Sequence, residues 1–298
     1  MKRHNLMRIV FALFLFALAI YPGTTVAEST TLDRNNAAQP LVFLIGPVPD
    51  TVKQDGKTFE IWLREPGSTN LTAKTHQSAG TGFVVRHKEK SYLVTARHLA
   101  QQCSLSWSAV VSGPNDEAIS ISFSDFSGYT NQLPWVSDPV ADVAVLPLKP
   151  DSKYCKSGIM KCFDIAVFVS QPLAPPRDRA VSILGFPLGL GVGKKVSPLE
   201  KESKPASGLY DVVKGTNTTT VFFLAEPSVD GFSGSPVFAF PSAISGSGGV
   251  SIRIGSQNTL CYGLVSGTLP DRTGGKFAEI VPSSKICELL EQADQSNK

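Results

Sequence analysis

Short apolar stretches with strand-like alternation recur along this chain, each closed by Gly, Pro, Asn or Asp. They fall at residues 41–45, 59–63, 81–86, 91–95, 118–123, 143–148, 165–169 and 180–184, then at 219–224, 235–240, 250–254, 262–265 and 277–281. Many short strands between turn residues, with no long helices alternating, predict an all-β barrel or sandwich rather than a parallel α/β sheet. One helix is expected, at the end. There Ile286, Leu289, Leu290 and Ala293 repeat at helical spacing over 285–293, with Ser283 and Ser284 placed to cap them. Residues 189–217, rich in Gly, Lys, Ser and Pro, and 242–258, rich in Ser and Gly, read as surface insertions.

The N-terminus follows a different pattern. Lys2, Arg3 and Arg8 precede the unbroken apolar run IVFALFLFALAI at 9–20, and small residues follow up to Ala27. A basic region, a short apolar core and a small-residue site predict a secretory signal peptide over 1–27. As a membrane anchor the run is too short: it would span about 18 Å of helix against about 30 Å of hydrocarbon. No later run reaches membrane-spanning length, so no membrane association is expected after cleavage. The mature protein is expected to be secreted or periplasmic.

Composition narrows the picture further. At 298 residues, with 42% hydrophobic and 18% charged positions, the chain is globular and long enough for two lobes. Its mean hydropathy of +0.04 is far from that of a polytopic membrane protein. Lys2, Arg3 and Arg8 account for the whole formal charge of +3, so the mature chain is balanced. That balance removes the electrostatic case for nucleic acid or anionic lipid as partner. Five cysteines, Cys103, Cys155, Cys162, Cys261 and Cys287, leave at least one thiol over, while Cys155–Cys162 and Cys261–Cys287 are the bridges considered. No C-x-x-C pair exists, which removes zinc ribbons and thioredoxin-type redox motifs.

Three motifs carry chemistry. GTGFVV at 80–85 leads through SYLVTARHLA at 91–100, which sets His98 where a strand hands over to a helical turn. DVAVLPL at 142–148 heads a buried apolar strand with Asp142, whose carboxylate must be hydrogen-bonded or paired to be tolerated there. DGFSGSPVF at 230–238 makes a tight glycine turn ahead of a strand, with Ser233 between Gly231 and Gly234. Glycines there let backbone N–H groups converge.

Together, and in this order, the motifs resemble those of the chymotrypsin-like (trypsin-fold) serine peptidases, particularly the secreted bacterial branch. The resemblance spans 80–282 and includes GFP at 185–187, GLVSG at 263–267 and FAEIVPSSKI at 277–286. It implies two six-stranded antiparallel β-barrels with a C-terminal helix. Residues 28–55 would be a lead-in, 56–170 the first barrel, 171–282 the second, and 283–298 helix and tail. It also implies a triad of His98 as base, Asp142 as its orienting acid and Ser233 as nucleophile, with the backbone N–H groups of Gly231 and Ser233 as oxyanion hole. Asp138, four residues upstream of Asp142, is the other candidate acid. The substrate would be a polypeptide, with no cofactor and no metal; His76 and His87 read as exposed. By the same correspondence Pro227 forms the base of the specificity pocket and Ser266, Gly267 and Thr268 its wall, which implies an uncharged, small or medium side chain before the scissile bond.

The chain departs from the family at Phe232, where zymogen-activated members carry Asp, so activation through a new N-terminus is not expected. Nor is an appended PDZ module, since the chain ends soon after the helix. An α/β-hydrolase is excluded because no His follows Ser233, and GLGVGKK at 189–195 fails the phosphate-loop pattern at two positions. A chymotrypsin-like scaffold that binds proteins without turning them over is the second reading.

Overall fold

The computed structural model describes residues 32–64, 71–245, 251–254, 258–270 and 276–296. The expected signal peptide at 1–27 lies outside the described residues. Of the alternating segments, 59–63 divides between two separate hairpins, Thr51–Gln54 with Lys57–Glu60 and Trp62–Arg64 with Leu71–Ala73, and Ser251–Ile254 pairs with Ser242–Ser245. Most of the others fall in two sheets, antiparallel but for one short parallel pairing. In the first, the neighbours run Val136–Ser137, Ala144–Pro147, Lys90–Thr95, Thr75–His87, Leu41–Pro49, Ser108–Ser112 and Ala118–Ser122, and Phe163–Asp164 joins Thr75–His87 in parallel. In the second they run Leu199–Ser203, Val181–Gly185, Pro236–Ala239, Leu260–Pro270, Lys276–Pro282, Asn217–Leu224 and Tyr210–Lys214. This is the two-barrel, chymotrypsin-like architecture with its C-terminal helix. Short extra strands bring the sheets to eight and seven.

Side-chain alternation explains why these strands are apolar on both faces. Val42, Leu44, Val84 and Leu93 turn into a core inside the first sheet with Trp107, Phe123, Phe126 and Tyr154. Their neighbours Leu41, Phe43, Phe83, Tyr92 and Val94 turn the other way, into a layer shared with the second sheet and the last helix. The second sheet encloses its own core of Val181, Ile183, Phe222, Leu224, Val237 and Ile280. Successive residues of a strand face opposite sides, so a strand covered on both faces needs apolar residues at every position.

The shared layer is largely aromatic. Phe43 of the first sheet meets Phe186 beyond the second at 5.5 Å between ring centroids, and Phe163 meets Phe238 at 5.2 Å, both tilted or edge-on. Offset and edge-to-face pairs of this kind add about 0.5–1.5 kcal/mol beyond the area they bury. The helix Ser283–Ser296 closes the layer with Ile286, Leu289, Leu290 and Ala293. It starts at Ser283 itself, whose hydroxyl donates to the Val169 carbonyl at 2.7 Å instead of capping the helix.

Several expectations are corrected. His87 is buried, not exposed: the end of its strand runs under the last helix, where Nε2 lies 3.2 Å from Glu291. His76 is exposed and bonds Asp50 at 2.7 Å. Residues 28–55, read as a lead-in, supply the nine-residue strand Leu41–Pro49 in the middle of the first sheet. Residues 189–217, read as an insertion, hold Leu199–Ser203 and Tyr210–Lys214, the two edge strands of the second sheet. The stretch 165–169, read as a strand, is mostly a 3-10 turn, Ile165–Val167. Neither considered disulfide is formed. All five cysteines are free thiols, and burial raises the pKa of each, that of Cys261 to about 12.

If the last helix is an integral part of the core, Leu290→Ala should cost about 2–5 kcal/mol. Urea unfolding monitored by tryptophan fluorescence measures that loss; a change under about 0.5 kcal/mol would mean that the helix is only laid on the surface.

Candidate active site

His98 sits in the short helix Arg97–Gln102, which begins where the strand Lys90–Thr95 ends. The neighbouring strand Ala144–Pro147 pairs Ala144 with Thr95, and so brings Asp142, two residues upstream, alongside His98. The carboxylate is then held on three sides. Oδ2 accepts from His98 Nδ1 at 2.7 Å and from the Ser266 hydroxyl at 3.0 Å, while Oδ1 accepts from the His98 backbone N–H at 2.9 Å. Burial works against ionisation of Asp142. The ring bond, the histidine's charge, the backbone N–H and the Ser266 hydroxyl outweigh it and hold the carboxyl below the usual carboxylate range. A carboxylate only accepts, so Nδ1 carries a proton, and in the neutral ring the free lone pair is on Nε2.

Asp138 does other work. Its Oδ1 accepts from the backbone N–H groups of Val140 and Ala141 at 2.8 and 2.7 Å, which makes it the anchor of the turn ahead of Asp142.

Ser233 lies on the turn before Pro236–Ala239. Gly231 and Gly234 both have positive φ, +95° and +83°. A Cβ on Gly231 would stand 2.4 Å from the Phe186 carbonyl oxygen, and one on Gly234 would stand 2.1 Å from that of Thr81. Glycine is required at both places by backbone angle and by room. Phe232 is more than a spacer: its ring is buried in the second core, where the zymogen-type carboxylate would be an unpaired charge.

Thr81, from the first motif, fastens this turn to the first sheet. Its N–H donates to the Ser233 carbonyl at 3.0 Å, and its hydroxyl donates to the Gly231 carbonyl at 2.8 Å. The same hydroxyl accepts from Phe186 N–H at 3.1 Å, and the Thr81 carbonyl accepts from Thr95 Oγ1 at 2.8 Å. Thr95 therefore steadies the turn that holds Ser233. On the far side Gly234 N–H bonds the Val265 carbonyl at 2.8 Å, one residue before Ser266. The strand that grips the serine turn is thus the strand that holds Asp142.

Backbone orientation at this turn decides what its N–H groups can do. The Asp230 carbonyl accepts from Leu188 N–H at 2.7 Å. In a planar trans peptide the N–H of Gly231 points opposite to that carbonyl, and it has no acceptor among the described residues. Ser233 N–H has none either among the described residues. The Ser233 hydroxyl, partly exposed, makes no hydrogen bond among the described residues. That of Ser235 is fully buried and unbonded.

The remaining expected positions divide. Ser266 turns its hydroxyl to Asp142 and not into a pocket. Gly267 faces open space. Thr268 Oγ1 donates to the Ser228 carbonyl at 3.1 Å, and the Pro227 carbonyl accepts from Lys201 Nζ. Two of these contributors, Thr81 and Ser266, were not assigned their roles from sequence. Only their pairing across the fold discloses them.

No protein-family model matches this sequence, and no curated protein matches it. Solved structures do. An inactive mutant form of Rv3671c from M. tuberculosis is 13% identical, with a TM-score of 0.51, over 93% of this chain and 97% of that one. The HtrA-type protease AlgW, solved with a decapeptide, is 14% identical at a TM-score of 0.50 over 88% of this chain and 66% of that one. At such identities the likeness is one of fold. The chain has the two-barrel fold of the chymotrypsin-like serine proteases.

Proposed function

We propose that this protein is an exported serine endopeptidase that cleaves polypeptides through His98, Asp142 and Ser233. The observation that carries the reading is an imidazole oriented by a three-fold bonded carboxylate, with the strand that bonds that carboxylate also gripping a serine turn whose Gly231 and Ser233 N–H groups have no acceptor among the described residues. Ser233 Oγ attacks the peptide carbonyl carbon while His98 Nε2 takes its proton. The carbonyl oxygen becomes an oxyanion that accepts from Gly231 and Ser233 N–H, each donor worth about 3 kcal/mol of barrier. The C–N bond then breaks, the imidazolium returns the proton to the leaving amine, and an acyl-enzyme remains. Water, deprotonated by His98, releases the acid and restores Ser233. Asp142, held ionised, keeps the imidazole in the tautomer this needs and offsets the charge it gains.

The unbonded Ser233 hydroxyl is the observation that favours the second reading, a silent protein-binding scaffold. In a resting peptidase the serine–histidine contact is often long and tightens only with substrate. Covalent labelling separates the two. A fluorophosphonate probe should label the wild-type protein, and labelling should vanish in Ser233→Ala and His98→Ala yet persist in Ser235→Ala, whose hydroxyl is buried. A folded wild-type protein that takes no label would establish the scaffold.

Asp142→Asn reverses the histidine tautomer and should lower turnover of a peptide substrate by about four orders of magnitude while the protein stays folded. Asp138→Asn, at the turn, should leave most activity. The opposite ranking in steady-state kinetics would move the acid to Asp138.

Export rests on the basic–apolar–small pattern of 1–27, and no helix among the described residues is long and apolar enough to cross a membrane. N-terminal sequencing of protein recovered outside the cytoplasm should begin after Ala27; recovery of Met1 would contradict cleavage.

A further inference from the structure

The chain doubles back between Ser152 and Cys162. The short helix Lys153–Lys156 is capped by Ser152, whose hydroxyl accepts from Cys155 N–H at 3.1 Å. Ser157 Oγ donates to the Tyr154 carbonyl at 2.6 Å and accepts from Ile159 N–H at 3.3 Å, and Gly158 between them takes a left-handed φ of +74°. The turn carries Met160 and Cys162 back toward Cys155, and all three side chains pack against the core of the first sheet. Tyr154 anchors the loop there, fully buried and stacked on Phe126 at 4.7 Å between ring centroids. Charge on Cys155 raises the pKa of Cys162, and charge on either raises that of Tyr154. The two sulfurs therefore lie within electrostatic reach of each other and of the phenol.

Cys155 and Met160 line one cavity of about 320 Å³ together with Arg86, Lys90, Glu89 and Leu148. Arg86 arrives there because its strand runs parallel to Phe163–Asp164, with Arg86 in register with Asp164, two residues after Cys162. Burial raises the pKa of Cys162, and the Arg86 guanidinium opposes that by favouring the thiolate. Lys90 is already paired with Asp294 at 2.7 Å, which leaves Arg86 as the cation beside the sulfurs. The chemistry proposed for Ser233 uses none of these groups.

Donor chemistry narrows what such a cluster can take. Among the described residues no group of three or more His, Cys, Asp or Glu side chains suits a metal, so zinc or calcium has no full set of ligands. Two thiols and a thioether are soft donors, and soft donors select monovalent copper. On binding, two S–H protons leave and two Cu–S bonds form, with no change of oxidation state. The resulting dithiolate–copper(I) unit carries one net negative charge, and Arg86 stands where that charge arises.

We propose that Cys155, Cys162 and Met160 form a binding site for monovalent copper, with Arg86 offsetting the charge of the bound unit. The site shares no residue with the Ser233 turn and does not rest on the peptidase reading.

The test uses the whole protein, reduced and kept free of oxygen, with Cu(I) offered as its complex with the chromophoric chelator bicinchoninate. Wild-type protein should withdraw one equivalent of copper, and X-ray absorption should show sulfur ligands only. Both thiols release protons on binding, so affinity should climb as pH rises from about 6 to about 8. Cys155→Ser and Cys162→Ser should each abolish uptake, Met160→Leu should weaken it, and Arg86→Gln should lower the affinity about tenfold. Cys103→Ser and Cys287→Ser should retain it. Circular dichroism checks that each variant folds; Arg86→Gln removes no ligand and so reads the site even where a cysteine variant does not fold. A wild-type protein that leaves all copper on the chelator overturns the site. So does uptake that survives in both Cys155→Ser and Cys162→Ser, or mass spectrometry that finds those two cysteines bridged in the protein as exported.

Discussion

The geometry of the site hangs on the clamp that Thr81 makes between the two sheets. A serine turn with two left-handed glycines has many conformations open to it, and most would scatter its N–H groups. Here the Thr81 N–H and hydroxyl hold the Ser233 and Gly231 carbonyls from one side, and Leu188 N–H holds that of Asp230. In trans peptides the Gly231 N–H is set by the Asp230 carbonyl and the Ser233 N–H by the Phe232 carbonyl, which accepts from Ser235 N–H at 2.8 Å, while the bonds from Thr81 turn the Phe232 and Gly234 N–H groups away to the Val229 and Val265 carbonyls. The clamp is buried, where an unmade hydrogen bond leaves a polar group without water and costs about 1–3 kcal/mol. Each alternative arrangement of the turn breaks at least one of these bonds.

The clamp can exist only because the sheets are pressed together by a layer that neither would bury alone. Phe43 and Phe83 on one side, Phe186 and Phe238 on the other, and the apolar stripe of the last helix remove each other from water. Burial of one such side chain contributes about 1.5–3 kcal/mol. The price of that layer is polarity at the rim, where Lys88, Lys90 and the buried His87 meet Glu291 and Asp294. The exposed pair of Lys88 with Glu291 contributes little by itself, while His87 and Asp294 are buried. Together these contacts fix the direction in which the helix lies, and so seal the shared layer.

Around Asp142, every acceptor is matched by a donor, and the carboxylate is stabilised as an anion. Near the serine turn the Pro227 carbonyl accepts from Lys201, while the Ser228 and Thr268 hydroxyls bond each other and the Ser228 carbonyl. An acid that is to orient an imidazole, the role proposed for Asp142, must be fully bonded before substrate arrives.

His98, Asp142 and Ser233 were legible because each stands in a local pattern: a strand ending in a helical turn, an acid heading an apolar strand, and a serine between glycines. The strands were legible for the same reason, since alternation and turn residues are properties of neighbouring positions. Failures fell where the pattern is not local. Leu199–Ser203 and Tyr210–Lys214 read as loops because an edge strand exposes its polar residues and lacks the double burial that marks its neighbours. His87 read as exposed because the helix that covers it lies some two hundred residues onward. The roles of Thr81 and Ser266, the retention of five free thiols, and the placement of Lys201 under Pro227 depend on which strands meet and in what register. Sequence by itself determined the backbone's propensities and the chemical groups carried. Tertiary structure alone decided which groups come within about 3 Å of one another, because hydrogen bonding falls away steeply beyond that distance and no one-dimensional pattern encodes it.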